Sequence, residues 1–183
     1  MIEVEVKLPV PDPDGMKTRM LEAGFKEKCF IEEHDIYFDN VRGDIRTSGE
    51  ALRVRETKDC RTGEKQAQMN YKGKKLDTRT MTRRELEIGV EDGKVCREIL
   101  QALGYAPVEP EVIKVRTMLR KDSVTACLDD VHDLGTFLEL EILAESEEKK
   151  DTALGQIESI LNGLGYQISD TVQTSYLSML QRK

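Results

Sequence analysis

The first residues of the chain, MIEVEVKLPV, place two carboxylates and an ammonium at alternate positions. Glu3, Glu5 and Lys7 alternate with apolar residues. Because successive side chains of a β-strand point to opposite faces, these three groups would share one face of a strand. Two interpretations are open: the charged face is solvated at a sheet edge, or it lines an enclosed site.

The same alternation of charged and apolar residues recurs in ALRVRE, QMNYKG, RRELEI, KVRTML, TACLDD and FLELEIL. For any one strand, a solvated face on a half-exposed antiparallel sheet is an adequate explanation. For the whole set it is weaker, because these faces carry arginine, lysine or glutamate pairs with little threonine or serine between them. The cations of the set are Lys7, Arg53, Arg55, Lys72, Arg83, Lys114 and Arg116, and its acids include Glu3, Glu5, Asp129, Glu139 and Glu141.

The alternative closes the strands into a barrel whose charged face points inward and whose apolar face, Leu86 and Ile88 included, lies under helices. Burying so many charges is costly unless they pair or bind a ligand. The cations are too many for one phosphate but suit a triphosphate, which carries about four negative charges. The carboxylates suit Mg²⁺ or Mn²⁺. This face therefore indicates metal-assisted phosphoryl chemistry.

The elements that would position these residues are α+β. Period-two stretches predict strands at 2–8, 30–38, 51–57, 66–73, 81–88, 111–120, 123–129 and 136–143, and short turns between several of them favour antiparallel pairing. Helices are predicted at about 13–24, 92–103 and 146–164, with a short one near 173–181. The first three end at Gly24, Gly104 and Gly165, and Asp92 and Ser146 are candidate N-caps. We expect one domain over residues 1–183, built on a closed eight-stranded barrel or a strongly curved sheet.

Composition excludes several classes of protein. The net charge of -7 argues against a nucleic-acid surface. No apolar run approaches the roughly 20 residues of a membrane span, and no leader sequence is visible, so we expect a cytoplasmic protein without a membrane partner. The cysteines lack zinc-site spacing and are expected to be buried or half-buried free thiols, namely Cys29, Cys60, Cys96 and Cys127. His34 and His132 adjoin carboxylates and turns and are expected at the surface.

The charged segments, taken in order, resemble the CYTH superfamily of triphosphate tunnel metalloenzymes. The N-terminal ExExK is followed by HDIYFDN, LRVRE, YKG, RRELE, IKVR, LDDV and LGTFLELEI, so the resemblance covers nearly the whole chain. HDIYFD, the LGY before IKVR and the terminal SYLSML are most similar to the class IV adenylate cyclase branch. The resemblance implies an eight-stranded antiparallel tunnel that binds a triphosphate with a divalent metal.

The resemblance also assigns roles to residues of this chain. Glu3, Glu5, Glu139 and Glu141 would hold the metal with Asp129 near them, and Glu3, Glu5, Lys7 and Asp129 would serve catalysis. The phosphates would be bound by Lys7, Arg53, Arg55, Lys72, Lys114 and Arg116, and by the less invariant pair Arg83 and Glu85.

The reaction stays open at this point. A cyclase, which converts ATP to cyclic AMP and pyrophosphate, and a hydrolase of tripolyphosphate or thiamine triphosphate need almost the same residues. A non-catalytic sensor is disfavoured because all four metal-site glutamates are present. An adenine pocket could use Tyr37, Phe38, Tyr71 or Tyr176, each of which also suits a packing role. The loop at 59–66 could gate one mouth of the tunnel or be a simple hairpin turn. A homodimer through an outer strand or helix is compatible with the family.

Overall fold

The computed structural model describes residues 2–76 and 80–183, with the backbone alone at position 147. The described residues form eight strands: β1 Ile2–Pro9, β2 Lys26–Asn40, β3 Ala51–Asp59, β4 Lys65–Lys75, β5 Arg83–Val90, β6 Tyr105–Lys121, β7 Val124–Val131 and β8 Gly135–Ala144. They also form five helices: α1 Pro13–Glu22, α2 Asp44–Thr47, α3 Gly93–Ala102, α4 Lys150–Gly163 and α5 Tyr176–Leu180. None of these helices has both the length and the apolar character needed to cross a membrane.

The strands close into one antiparallel barrel, as predicted. Their order around it, which the sequence did not predict, is β1-β5-β4-β3-β2-β6-β7-β8. β1 pairs with β8 over its whole length, from Ile2 opposite Ala144 to Pro9 opposite Phe137. Its pairing with β5 is confined to Ile2 and Glu3. The backbone N–H of Met81, just before β5, extends this short seam by donating to the carbonyl of Glu5 at 2.9 Å.

The apolar core lies outside the barrel, between its wall and the helices. Val4, Val6 and Leu8 of β1 are at most 1% exposed and pack in one cluster with Ile157 and Leu161 of α4. Burial of each such side chain contributes about 1.5–3 kcal/mol. A second cluster, under α3, joins β2, β3 and Leu100. The apolar face must therefore point outward, which turns the charged face of the same strands into the lumen.

One part of the outer face departs from the prediction. Leu86 and Ile88 of β5 were expected under a helix but are 52% and 60% exposed. The physical reason is that α3, which follows β5, packs mainly on β3, β4 and β6 and leaves β5 uncovered.

The helix ends are confirmed in part. Gly24, Gly104 and Gly165 have φ of 90°, 90° and 84°, as the predicted left-handed C′ positions require, and the Asp92 carboxylate caps α3 by accepting from Val95 N. The predicted cap at Ser146 is wrong, because a 3-10 turn over Glu147–Lys149 precedes α4.

Two short helices lie together at one end of the lumen. α2, which the sequence analysis missed, forms where the Asp39 carboxylate accepts from the backbone N–H groups of Ile45 and Arg46. α5 is shorter than predicted and is capped by Ser175, whose Oγ accepts from Ser178 N. The Arg46 guanidinium donates to Gln181 Oε1 at 2.6 Å and so joins the ends of the two helices.

Candidate functional site in the barrel lumen

The lumen contains a cavity of about 840 Å³, within the size range of small-molecule sites. Twelve of the thirteen predicted site residues line it: Glu3, Glu5, Lys7, Arg53, Arg55, Lys72, Arg83, Glu85, Lys114, Arg116, Glu139 and Glu141. The thirteenth, Asp129, is 1% exposed and contacts Arg116. The period-two pattern therefore identified the inward face of the strands that carry these residues.

Three of the predicted metal ligands converge. One carboxylate oxygen each from Glu3, Glu5 and Glu141 lies within 4.8 Å of the other two. Lys72 Nζ approaches this group, at 2.7 Å from Glu3 Oε2 and 3.5 Å from Glu5 Oε2. The group is formed by neighbouring strands, because β1 and β8 pair with Glu5 directly opposite Glu141.

The charge of this group is incompletely balanced by the protein. Burial, the largest cause, and the neighbouring carboxylates raise the pKa of Glu141 to about 8 against the pull of Arg116. Burial likewise raises the pKa values of Glu3 and Glu5, although Lys72 opposes the shift. Three hard oxygen ligands that resist joint ionisation fit a divalent cation such as Mg²⁺ or Mn²⁺, whose charge would stabilise all three carboxylates.

The other two predicted metal ligands, Glu139 and Asp129, are bound by an arginine. Arg116 binds Asp129 through two hydrogen bonds of 2.7 Å each and also donates to Glu139. Burial works against ionisation of Glu139, but Arg116, Lys114 and Lys7 hold the pKa of that carboxyl well below its usual range. The structure thus separates Glu139 and Asp129 from the group of three, and their part in metal binding stays a prediction.

Two buried acids on β2 were missed by the sequence analysis. Asp35 accepts from Arg55 Nε at 2.6 Å and from Arg53 Nη1 at 3.1 Å, and Glu33 Oε1 accepts from Arg55 Nη1 at 2.9 Å. Despite burial, Lys114, Arg116 and Arg55 hold the pKa of Glu33 low, and Arg53, Arg55 and Lys114 hold the pKa of Asp35 well below its usual range. In EEHDIYFD, Glu33 and Asp35 alternate with His34 and Ile36, so the same period-two pattern could have identified them.

Two arginines present unused donors to the cavity. The Nε groups of Arg53 and Arg83 are buried and have no hydrogen-bond partner within the described parts of the chain. Both side chains line the lumen. A buried donor without an acceptor is costly, and phosphate oxygens are the natural acceptors for a guanidinium.

The aromatic candidates for an adenine pocket are dispersed. Tyr37 and Phe38 both line the cavity, although Phe38 is only 2% exposed and also packs in the cluster under α3. Tyr71 lies between the inward-facing Asn70 and Lys72 along β4, which places it on the outer face. The Tyr176 hydroxyl donates to Asp129 Oδ2 at 3.0 Å.

The histidines and the cysteines lie away from the cavity, and of the predicted loop at 59–66 Gln66 alone borders it. His34 is one-third exposed and its Nε2 is 2.5 Å from Glu111 Oε2, while His132 is 75% exposed, as expected for surface residues. The loop at 59–66 is a tight turn in which Asp59 accepts from two backbone N–H groups. The cysteines are free as predicted, but Cys60, expected to be at least half-buried, is exposed because it lies in that turn.

A closed antiparallel barrel with an inward charged face is the architecture of the triphosphate tunnel proteins. The chain belongs to the CYTH family, since the model of the CYTH domain matches residues 1–176. Members of this family are enzymes that bind triphosphate substrates and use divalent metal ions.

Individual relatives agree with this assignment. A Methanocaldococcus jannaschii protein provisionally named an adenylate cyclase is 35% identical over 181 residues, which cover 98% of each chain. A solved structure from Pyrococcus horikoshii is 31% identical, covers 98% of each chain and has a TM-score of 0.88. A solved structure from Hippeastrum shares the fold with a TM-score of 0.70 at 18% identity, and the match covers 99% of this chain and 95% of that one. That protein is provisionally named an adenylyl cyclase and is described as having a dominant triphosphatase activity.

Proposed function

We propose that this chain is a metal-dependent adenylate cyclase of the class IV type, which converts ATP to cyclic AMP and pyrophosphate. The observation that carries the proposal is the juxtaposition, in one cavity, of the three clustered carboxylates with the unused donors of Arg53 and Arg83. The first group suits a divalent cation and the second suits phosphate. The name of the Methanocaldococcus jannaschii relative supports the cyclase reaction.

In this reaction the ribose 3′-hydroxyl of ATP attacks the α-phosphorus, and the bond to the β-phosphate oxygen breaks. A divalent ion held by Glu3, Glu5 and Glu141 would lower the pKa of the attacking hydroxyl and neutralise phosphate charge. Arg53 and Arg83 would donate to phosphate oxygens through their free Nε–H groups, and Lys7 and Lys114 would stabilise the departing pyrophosphate. Glu139 and Asp129 would hold Arg116 in place between these groups.

The second candidate is a triphosphatase acting on tripolyphosphate or thiamine triphosphate. The dispersed aromatic residues favour it, because of the four candidates for an adenine pocket Tyr71 lies on the outer face and Phe38, although it borders the cavity, is buried in the cluster under α3. A hydrolase needs only the charged residues and a water molecule that attacks the terminal phosphorus.

One experiment separates these reactions. The purified protein is incubated with Mg²⁺ or Mn²⁺ and with ATP, tripolyphosphate or thiamine triphosphate, and the products are resolved by chromatography. Cyclic AMP with pyrophosphate is the expected result. Release of orthophosphate without cyclic AMP would replace the cyclase with the triphosphatase, and tight binding without any product would replace both with a non-catalytic sensor.

A further inference from the structure

The side chain of Tyr176 enters the lumen from α5 and is 6% exposed. α5 lies in the C-terminal segment, which is fixed to the barrel by a 2.7 Å hydrogen bond from Val172 N to the carbonyl of Lys7. The ring meets Phe137 edge to face, with centroids 5.1 Å apart, and Leu177 packs with Val112 in the same apolar cluster. The position of the ring is therefore set by packing rather than by a ligand.

Two buried ammonium groups face this ring. Lys7 Nζ lies 4.2 Å from the ring centroid and Lys114 Nζ lies 5.2 Å from it. Both distances are within the range of cation–π attraction, which grows stronger when the cation is desolvated. Lys7 is 2% exposed, and its ion pair with Glu139 Oε1 is long, at 3.9 Å.

The ring stabilises Lys7 in a way that a carboxylate could not, whereas Lys114 is also paired with Glu33 Oε2 at 3.1 Å. A carboxylate would occupy the N–H donors of the ammonium group and would repel an incoming phosphate. An aromatic face offsets part of the desolvation cost without adding a negative charge. The Lys7 ammonium group therefore faces the ring without a close carboxylate, among the described residues, that would repel an anion entering the lumen.

The hydroxyl of the same side chain extends the network to a third cation. It donates to Asp129 Oδ2 at 3.0 Å, and Asp129 in turn holds Arg116 through two hydrogen bonds. Lys114 Nζ is 3.4 Å from the same Asp129 oxygen. One tyrosine thus contacts Lys7 and Lys114 directly and Arg116 through Asp129.

We propose that Tyr176 is a positioning residue that fixes Lys7, Lys114 and Arg116 as one phosphate-binding group at the end of the lumen nearest α5. This inference rests on the proposed triphosphate site. It assigns the C-terminal helix to the binding machinery of the barrel, since α5 supplies the side chain that orders cations from β1 and β6.

The test is a calorimetric titration of tripolyphosphate into four proteins: wild type, Tyr176→Phe, Tyr176→Leu and the control Tyr166→Leu. A chelator is present so that no metal contributes to binding. Tyr166 is partly buried against the outer core and does not line the cavity. We expect Tyr176→Leu to raise Kd about tenfold or more because it removes both cation–π contacts. Tyr176→Phe keeps the ring and should raise Kd by no more than about threefold, and the control should match wild type.

The binding stoichiometry separates positioning from folding. A variant that misfolds lowers the fraction of sites that bind, whereas a loss of positioning raises Kd at unchanged stoichiometry. If Tyr176→Leu binds with the wild-type Kd, the positioning role is overturned while the triphosphate site stands. If Tyr176→Phe is impaired as severely as Tyr176→Leu, the role of the ring in holding Lys7 and Lys114 is overturned. If wild type itself does not bind tripolyphosphate, it is the proposed function that fails.

Discussion

The carboxylates of the lumen fall into two groups that differ in what surrounds them. Four carboxylates accept hydrogen bonds from a buried arginine, namely Glu33, Asp35, Asp129 and Glu139. The pKa values of Glu33, Asp35 and Glu139 are lowered. Glu3, Glu5 and Glu141 lie together, and their pKa values are raised. The first group is paired with the arginines of the lumen, and the second, which Lys72 approaches, is the group that we propose to bind a divalent ion.

Glu5 is the residue at which this division can be tested directly. We expect Glu5→Gln to lower turnover at least about 100-fold, because it removes one of three ligands for the divalent ion. Binding of tripolyphosphate in the presence of a chelator should be retained, since the substitution leaves the arginines and lysines unchanged. A Glu5→Gln protein that turns over normally would remove Glu5 from the metal site, and one that no longer folds would give the strand a structural role.

The raised pKa of Glu141 predicts a pH dependence of stability in the metal-free protein. With a pKa of about 8 in the folded state against an ordinary value of 4.5, the folded state retains a proton that the unfolded state loses as the pH rises. The stabilisation is complete below about pH 4.5 and is lost progressively up to about pH 8. With a chelator present, the melting temperature of wild type should therefore fall more steeply with rising pH, between about pH 4.5 and pH 8, than that of Glu141→Gln. Parallel slopes for the two proteins would contradict the assignment.

At this scale the sequence predicted which residues face the lumen but not which of them pair. Side-chain alternation along one strand determines the face, whereas pairing depends on the stagger between strands. Asp129 and Glu139 were assigned to the metal by resemblance, yet Arg116 reaches both because β6, β7 and β8 are neighbours in the barrel. Glu33 and Asp35 could have been found from alternation alone.

Among the elements, β2 carries the acids that balance the cations of β3. Asp35 lies opposite Arg55 in the β2–β3 ladder and contacts both Arg53 and Arg55. Removing one partner of a buried ion pair leaves the other charge uncompensated. We therefore expect Asp35→Asn to lower the free energy of unfolding by about 3–5 kcal/mol, as measured by urea denaturation.

The matched control for this substitution lies on the same strand. Glu32 is exposed on the outer face, and Glu32→Gln should change the free energy of unfolding by less than about 0.5 kcal/mol. Equal stabilities of Asp35→Asn and Glu32→Gln would show that the buried pairs of β2 do not support the barrel.

The elements themselves were predicted with unequal accuracy. All eight strands were identified, because their alternation is regular, and three helix ends were marked by glycine. α2 was missed because it is a single turn that depends on the carboxylate of Asp39, several residues earlier in the chain. The start of α4 was misplaced since a 3-10 turn occupies the predicted first turn.

At the scale of the whole molecule, the barrel is built with its polar side inward. Its apolar core lies under α1, α4 and α3, so stability comes from outside the wall and leaves the lumen free for charged residues. Alternation alone left a closed barrel and a curved sheet as alternatives. The charged faces of six strands favoured closure and the resemblance implied it, but no local pattern reports the pairing of the first strand with the last on which closure depends.

The most direct test of the account is whether the lumen binds a triphosphate through its arginines. Tripolyphosphate is titrated, in chelator, into wild type, Arg53→Gln and the control Arg97→Gln, whose guanidinium pairs with Glu56 on the outer face of β3. The account predicts one site per chain in wild type, affinity about tenfold or more weaker in Arg53→Gln, and no change in Arg97→Gln. Absence of binding to wild type, or equal affinity in Arg53→Gln, would contradict it.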